Sequence, residues 1–173
     1  MDEDKSHACH TGRPDRGIGP DRQPLADTIT ICSARSGSSE KVERVVRSDE
    51  AWREMLTPDQ YRVARKKGTE MAFSGKYYDF HGDGIYSCIC CETDLFDSRS
   101  KYDSGTGWPS FWAPVCESNI CRQQDDSLLM SRTEVLCARC NAHLGHVFED
   151  GPPPTYERYC LNSVALKFSA REK

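Results

Sequence analysis

Two short cysteine motifs are the first feature of the sequence that could do chemistry. Cys88 and Cys91 form one C-x2-C pair and Cys137 and Cys140 form another. Two such turns can direct four thiolates at one tetrahedral ion, and zinc suits four sulfur ligands without a redox demand. The motifs therefore predict a structural zinc site, because four protein ligands leave no position open for water.

The ligand set has alternatives in the same segments. Cys90 could replace a neighbouring ligand, although only Cys88 with Cys91 reproduces the spacing of the second pair. His143 and His146 could complete a two-Cys two-His site, which would leave Cys88 and Cys91 without a role. The cysteines could also be buried free thiols, which behave as small apolar groups.

The segment from residue 158 to residue 168 contains the candidate nucleophile. If it is a strand, its two-residue period places Arg158, Cys160 and Asn162 on one face. A cationic neighbour lowers the pKa of a thiol and raises its thiolate fraction, so Cys160 could be a nucleophile. From this segment alone, Cys160 could equally be a buried core residue, with Arg158 and Asn162 at a solvent-facing edge. The same face would continue with apolar side chains: Val164, Leu166 and Phe168.

Two histidines and an aromatic loop complete the candidate site. A Cys paired in space with His143 or His146 is a common nucleophilic arrangement, and imidazole delivers a proton near neutral pH. Trp108, between Gly107 and Pro109, would be either a core aromatic or a rigid apolar wall for a small substrate group.

Composition and charge exclude several classes of protein. The 173 residues include 23 Lys and Arg against 27 Asp and Glu, so no basic surface is expected for nucleic acid or an anionic membrane. The apolar runs are far shorter than the about 20 residues of a transmembrane helix. The acidic start has no apolar stretch behind it, which predicts a cytoplasmic protein. There, ten cysteines indicate metal ligands or redox catalysts rather than the disulfide framework of a secreted protein.

We divide the chain into a flexible N-terminal tail, residues 1–40, and one domain, residues 41–173. The tail is rich in Gly, Pro, Ser and Asp, with one strand-like patch at Ile29–Ile31. Ser48 is the expected N-cap of a short helix, with Trp52, Met55 and Leu56 on one face.

A second helix and then a sheet should follow. Thr57 with Pro58 and Gln60 predicts a capping box at the start of that helix, and Gly68 marks a stop. Strand-like runs follow at Ile85–Ile89 and Leu128–Cys137. The fold class is therefore α+β and mainly β, with short helices before an antiparallel body.

Taken in order along the chain, these motifs closely resemble the methionine sulfoxide reductase B family. The resemblance runs from about residue 42 to residue 168 and implies two antiparallel sheets with N-terminal helices. It also implies thiol-dependent reduction of methionine-R-sulfoxide, free or in proteins, as a repair of oxidative damage. The segments that carry it are the two cysteine pairs, Lys101–Phe111, Ala142–Phe148 and Arg158–Ser163.

The resemblance also assigns roles to the candidate residues. Cys160 would be the nucleophile and Trp108 would pack on the substrate methyl group. Four residues would shape and protonate the sulfoxide end: His143, His146, Asn162 and Arg158. Zinc would be held by Cys88, Cys91, Cys137 and Cys140. We expect a Cys160 sulfenic acid, a thioredoxin-type reductant, no organic cofactor and a monomer.

The sequence departs from the family pattern at two positions. Thr106 stands where many members carry the resolving cysteine, and Asn141 stands where Gly is usual. Cys32, Cys116 and Cys121 are the candidates for the resolving thiol, and we favour Cys32 because some relatives resolve from the N-terminal segment. Alternatively, a reductant attacks the sulfenic acid directly.

A zinc-ribbon binding module without catalysis is the competing class of function. It would use the Trp108 loop as a peptide or nucleic-acid surface. The acidic net charge speaks against nucleic acid, and the face with Arg158, Cys160 and Asn162 would have no purpose.

Overall fold

This computed structural model describes residues 28–172, which contain eleven short strands and two α-helices. They form three antiparallel sheets rather than the two expected, because the first two strands pair only with each other. The strands are β1 (Thr28–Cys32), β2 (Ser39–Glu43), β3 (Gly84–Cys88), β4 (Asp94–Asp97), β5 (Lys101–Tyr102), β6 (Ser110–Phe111), β7 (Ile120–Asp125), β8 (Arg132–Cys137), β9 (His143–Phe148), β10 (Arg158–Leu161) and β11 (Leu166–Ala170).

The largest sheet has six strands in the order β5-β6-β10-β9-β8-β7, and the third sheet has the order β11-β3-β4. Fully buried rings lie where these two sheets meet. Phe111 of the six-stranded sheet contacts Tyr86 and Phe96 of the three-stranded sheet, with ring centroids 5.0 and 4.8 Å apart. Aromatic pairs at such distances add to the free energy of burial, so these rings anchor one sheet on the other.

The β1–β2 hairpin spans the boundary that we predicted at residue 40. Residues 28–40 belong to this hairpin and its turn, and they are the part of the predicted tail that the structure describes. A disulfide joins Cys32 to Cys116. The Asn119 side chain accepts the Cys32 N–H at 2.8 Å and donates to its carbonyl, also at 2.8 Å. Residues 1–27 lie outside the described range.

The two helices are α1 (Asp49–Met55) and α2 (Pro58–Ala64), and both expected caps are confirmed. The Ser48 side chain accepts from the Ala51 N–H, and Thr57 with Gln60 forms the capping box. Both helices follow the hairpin, so they are not at the start of the described chain. No helix within residues 28–172 is both apolar and long enough to span a bilayer.

The prediction that three residues share the apolar face of α1 is partly wrong. Trp52 and Leu56 are buried, but Met55 is 46% exposed. At about 100° per residue, Leu56 lies only about 40° from Trp52, whereas Met55 lies about 60° away in the opposite direction. Met55 therefore falls at the edge of the apolar stripe.

The segment after Cys160 changes sheets, which also differs from the expectation. Strand β10 ends at Leu161, a short 3-10 turn covers Ser163–Ala165, and β11 then pairs with β3 in the three-stranded sheet. The apolar residues beyond Asn162 therefore do not continue the face that carries Cys160. The chain crosses between the two sheets two residues after the candidate nucleophile.

Replacing either Cys32 or Cys116 by Ser should lower the free energy of unfolding by about 2–4 kcal/mol. The reason is that the bond joins residues 84 apart in the chain and restricts the unfolded state. Urea denaturation of both single variants and the double variant measures the loss. All three should lose the same amount, because one bond is removed in each; additive losses would contradict a bond between these two cysteines.

Candidate active site and metal centre

A single row of side chains crosses the six-stranded sheet through Cys160. Cys160 on β10 lies directly opposite His146 on β9 and opposite Ser110 on β6. Residues paired in this way project from the same face of the sheet. The row continues on both sides and consists of Tyr102, Ser110, Cys160, His146, Glu134 and Gln123. Strand register thus brings the candidate nucleophile and a histidine together.

Gly145 allows the two strands of this row to approach each other. It pairs with Leu161, and a Cβ at Gly145 would collide with the Cys160 carbonyl oxygen. The glycine between the two histidines is therefore required by the close backbone approach that aligns β9 with β10.

The Cys160 thiol is half-buried and has a cationic neighbour. Burial raises its pKa, and the opposing effects of Arg158 and of the Thr106 hydroxyl do not offset the burial. Arg158 does act to lower the pKa of Cys160, as expected from its charge, but the larger effect of burial leaves that pKa above its usual value. Arg158 is itself held by Asp150, with Nε to Oδ1 at 2.8 Å and Nη2 to Oδ2 at 2.9 Å, and its guanidinium lies over the Phe148 ring.

The two histidines lie side by side and each contacts a carboxylate. Their ring centroids are 5.5 Å apart in an edge-on arrangement. His143 Nδ1 lies 2.7 Å from Glu134 Oε1, and His146 Nε2 lies 2.8 Å from Asp125 Oδ2. Burial lowers the pKa of His146, although its hydrogen bond with Asp125 acts in the other direction.

A buried carboxylate, Glu70, connects the aromatic loop to the crossing segment. Its backbone N–H donates to Asn162 Oδ1 at 2.9 Å, and its carbonyl accepts from the Trp108 indole at 3.1 Å. Its carboxylate accepts the backbone N–H groups of Ser163 and Val164 at 2.7 and 3.2 Å. Glu70 therefore fixes the position of Trp108 relative to the end of β10.

Both the oxygen and the nitrogen of the Asn162 side-chain amide form hydrogen bonds with backbone groups. Its oxygen accepts from Glu70 N–H, and its Nδ2 donates to the Leu144 carbonyl at 3.0 Å. The residue is 3% exposed. Asn162 therefore holds β10, β9 and the Glu70 segment together, rather than presenting its amide to the open side of the site.

Four cysteine sulfurs converge at a second centre, and they are the four expected ones. The Sγ atoms of Cys88, Cys91, Cys137 and Cys140 all lie within 4.8 Å of one another. Cys88 to Cys140 is 3.6 Å and Cys91 to Cys137 is 3.5 Å. Four sulfurs about 2.3 Å from one tetrahedral zinc ion would be about 3.8 Å apart, so the residues fit zinc.

The alternative two-Cys two-His site does not fit this geometry. His143 and His146 direct ring nitrogens at Glu134 and Asp125 instead of at the cysteine cluster. Cys90 is a buried free thiol outside the four-sulfur group. Cys88 and Cys91, whose spacing matches that of the second pair, are thus the two cysteines that the first motif contributes to the cluster.

The two knuckles share one backbone conformation, which explains the unusual Asn141. In each, the residue after the second cysteine has positive φ: 60° at Glu92 and 57° at Asn141. Each returns its N–H to the carbonyl of the first cysteine, Cys88 or Cys137. Asn is among the residues that best tolerate the left-handed region, so it can replace the usual Gly.

All three candidates for the resolving thiol form disulfide bonds. Cys32 is bonded to Cys116, and Cys121 is also disulfide-bonded. The residue that interacts with the Cys160 thiol from the aromatic loop is Thr106, the position where many family members carry the resolving cysteine.

Several site residues were missed by reasoning from the sequence. They are acidic or cationic side chains that follow no motif: Lys67, Glu70, Asp125, Glu134 and Asp150. Of these residues, only Glu134 could have been suspected from the sequence, because it precedes apolar residues in β8 and a buried charge needs a partner. The partners themselves follow from strand register, which the sequence does not state.

The sequence is similar to that of known proteins over most of its length. The SelR domain matches residues 56–170. The peptide methionine sulfoxide reductase MsrB of Hahella chejuensis is 54% identical over 131 residues, or 76% of this chain and 94% of its own. Its namesake in Pseudomonas fluorescens is 56% identical over 130 residues, 75% of this chain and all of its own.

A plant relative matches nearly the whole chain. The peptide methionine sulfoxide reductase B1, chloroplastic, of Arabidopsis thaliana is 54% identical over 97% of this chain and 87% of its own. The chain therefore belongs to the methionine sulfoxide reductase B family, as its motifs indicated, and it is an oxidoreductase.

Replacing Cys88 or Cys137 by Ser should release zinc and lower the melting temperature together, because metal binding contributes to the free energy of folding. Metal content per chain and thermal unfolding are measured on the same samples. Cys90→Ser is the matched control and should retain the metal, since Cys90 is outside the four-sulfur group. Unchanged metal content in the Cys88 and Cys137 variants would contradict the four-thiolate site.

Proposed function

We propose that this protein reduces methionine-R-sulfoxide, free or within proteins, to methionine, with Cys160 as the nucleophile. The observation that carries the proposal is the placement of Cys160 directly opposite His146, with His143 beside it. The names of the family relatives support the substrate class, since they are peptide methionine sulfoxide reductases.

The proposed binding mode uses the wall that Trp108 forms. The substrate methyl group would pack on the indole, whose ring is held in place by its hydrogen bond to the Glu70 carbonyl. The sulfoxide oxygen would then face the histidine pair. Arg158, fixed by Asp150, would keep positive charge beside the thiolate.

The reaction transfers one oxygen atom and two electrons. Cys160 Sγ attacks the sulfoxide sulfur, and the oxygen is a poor leaving group unless a nearby imidazolium protonates it. In the net step the sulfur–oxygen bond of the substrate breaks and a sulfur–oxygen bond forms on Cys160. Methionine is released, the sulfoxide is reduced, and the thiol is oxidised to a sulfenic acid.

Regeneration requires a second thiol, because the sulfenic acid must be reduced before the next cycle. A thiol condenses with it to a disulfide and releases water, and a thioredoxin-type dithiol then reduces that disulfide. Cys32 remains our predicted resolving thiol, but it can act only after its bond to Cys116 has been reduced. Otherwise the external reductant attacks Cys160 directly.

The zinc would be structural in this proposal. Cys88, Cys91, Cys137 and Cys140 would occupy all four positions, and the metal would stabilise the fold without taking part in the reaction. A monomer and a cytoplasmic location remain predictions, and the Arabidopsis relative is named as chloroplastic.

The reaction is tested by single-turnover reduction of the two purified methionine sulfoxide epimers by pre-reduced protein. We expect about one methionine per chain from the R epimer and little from the S epimer. Cys160→Ser should lower this yield at least about 100-fold, because the nucleophile is lost, while metal content and melting temperature stay unchanged.

The thiols lost per methionine formed identify the recycling route. Two lost thiols support a resolving cysteine, which a Cys32→Ser variant would then reduce to one. One lost thiol in the wild type supports direct recycling. Turnover retained by Cys160→Ser would contradict the nucleophile, and no turnover of either epimer would favour the binding module.

A further inference from the structure

A chain of charged contacts leads from the surface to one of the two histidines. Lys67 Nζ, on a side chain that is 61% exposed, lies 2.7 Å from Glu134 Oε2. The other carboxylate oxygen, Oε1, lies 2.7 Å from His143 Nδ1. Glu134 and His143 are only 2% and 3% exposed. The pair is therefore shielded from water, where such an interaction is strongest.

The carboxylate determines which nitrogen of His143 carries a proton. Burial alone would raise the pKa of Glu134, but the hydrogen bonds from His143 and Lys67 hold it below its usual value. An ionised carboxylate can only accept hydrogen bonds, so Nδ1 of His143 must be the donor. The opposite nitrogen, Nε2, is buried and has no hydrogen-bond partner among residues 28–172.

We propose that Glu134 is a positioning residue that holds His143 with Nδ1–H on the carboxylate, so that Nε2 of the protonated ring gives its proton to the sulfoxide oxygen. The last step rests on the proposed function. As Cys160 Sγ bonds to the sulfoxide sulfur, an electron pair moves to the oxygen, which takes the proton from Nε2. His143 is left neutral and Glu134 takes no proton, like the orienting carboxylate of a catalytic triad.

His146 is less suited to this role. Its Nε2 contacts Asp125, and burial lowers the pKa of its ring, so it is mainly neutral at pH 7. Asp125 is also paired with Arg132 at 3.0 Å, which weakens its support for a charge on His146. The charged or titratable groups around the His143 ring are Glu134 and Lys67 on one side and His146, Asp125 and Arg132 on the other.

Nitrogen-15 spectra of the histidine side chains in the reduced wild-type protein test the geometry without substrate. We expect neutral His143 to carry its proton on Nδ1, whereas free histidine prefers Nε2–H. A His143→Asn variant identifies the signals. A neutral His143 protonated at Nε2 would overturn the proposal, and this test needs no variant at Glu134 that folds.

Glu134→Gln tests the consequence for the reaction, because it removes the charge and keeps the size. The fraction of neutral His143 that carries its proton on Nδ1 should fall in the spectra, because an amide can donate as well as accept a hydrogen bond. The single-turnover rate with methionine-R-sulfoxide at pH 8 should fall about 100-fold, the lower end of what general acid catalysis contributes. Glu134→Asp restores the charge and should recover part of both.

Glu117→Gln is the matched control, since it makes the same change at an exposed carboxylate paired with Arg122. It should leave the Nδ1-protonated fraction of His143 and the rate unchanged. A Glu134→Gln variant with an unchanged Nδ1-protonated fraction would overturn the proposal, whether its rate is retained or lost, because a lost rate would then reflect structure alone. If the wild type reduces neither epimer, the proposed function fails, and the spectra still decide the Glu134–His143 contact.

Discussion

The hydrogen bonds of Glu70 hold the point at which the chain passes from the six-stranded sheet to the three-stranded sheet. One buried side chain contacts two backbone N–H groups of the crossing, while its own backbone contacts Asn162 and Trp108. Hydrogen bonds to a charged group contribute about 1.5–3 kcal/mol each, and a buried carboxylate without them would be costly. Because the crossing begins two residues after Cys160, these contacts fix the position of the Trp108 indole relative to Cys160.

The cysteine cluster constrains the same two sheets at a different point. Cys88 is the last residue of β3 and Cys137 is the last residue of β8, so the four sulfurs join the three-stranded sheet to the six-stranded sheet. The cysteine cluster and the hydrogen bonds of Glu70 therefore both connect the three-stranded sheet to the six-stranded sheet. Register in the six-stranded sheet can then align Cys160 with His146, so the proposed nucleophile is separate from the four-sulfur cluster.

Local patterns in the sequence predicted the helix caps, the four-sulfur set and the pairing of Arg158 with Cys160 on one face. The caps and the shared face depend on residues close together in the chain, and each cysteine pair is a local motif, although the two pairs lie far apart in the chain. The break after Leu161 was not predictable in this way, because its cause is Glu70, more than 90 residues earlier. The same limit applies to the partner of His143, which strand register supplies, and to the bond between Cys32 and Cys116.

In the reaction that we propose, Cys160 receives the oxygen atom of the substrate. Dimedone reacts with sulfenic acids, so the reduced protein can be mixed with one equivalent of methionine-R-sulfoxide in its presence and mapped by peptide mass spectrometry. A Cys32→Ser variant prevents capture of the sulfenic acid by the predicted resolving thiol. We expect a dimedone adduct on Cys160 alone, formed in proportion to methionine. Methionine formation with the adduct on another cysteine would contradict it.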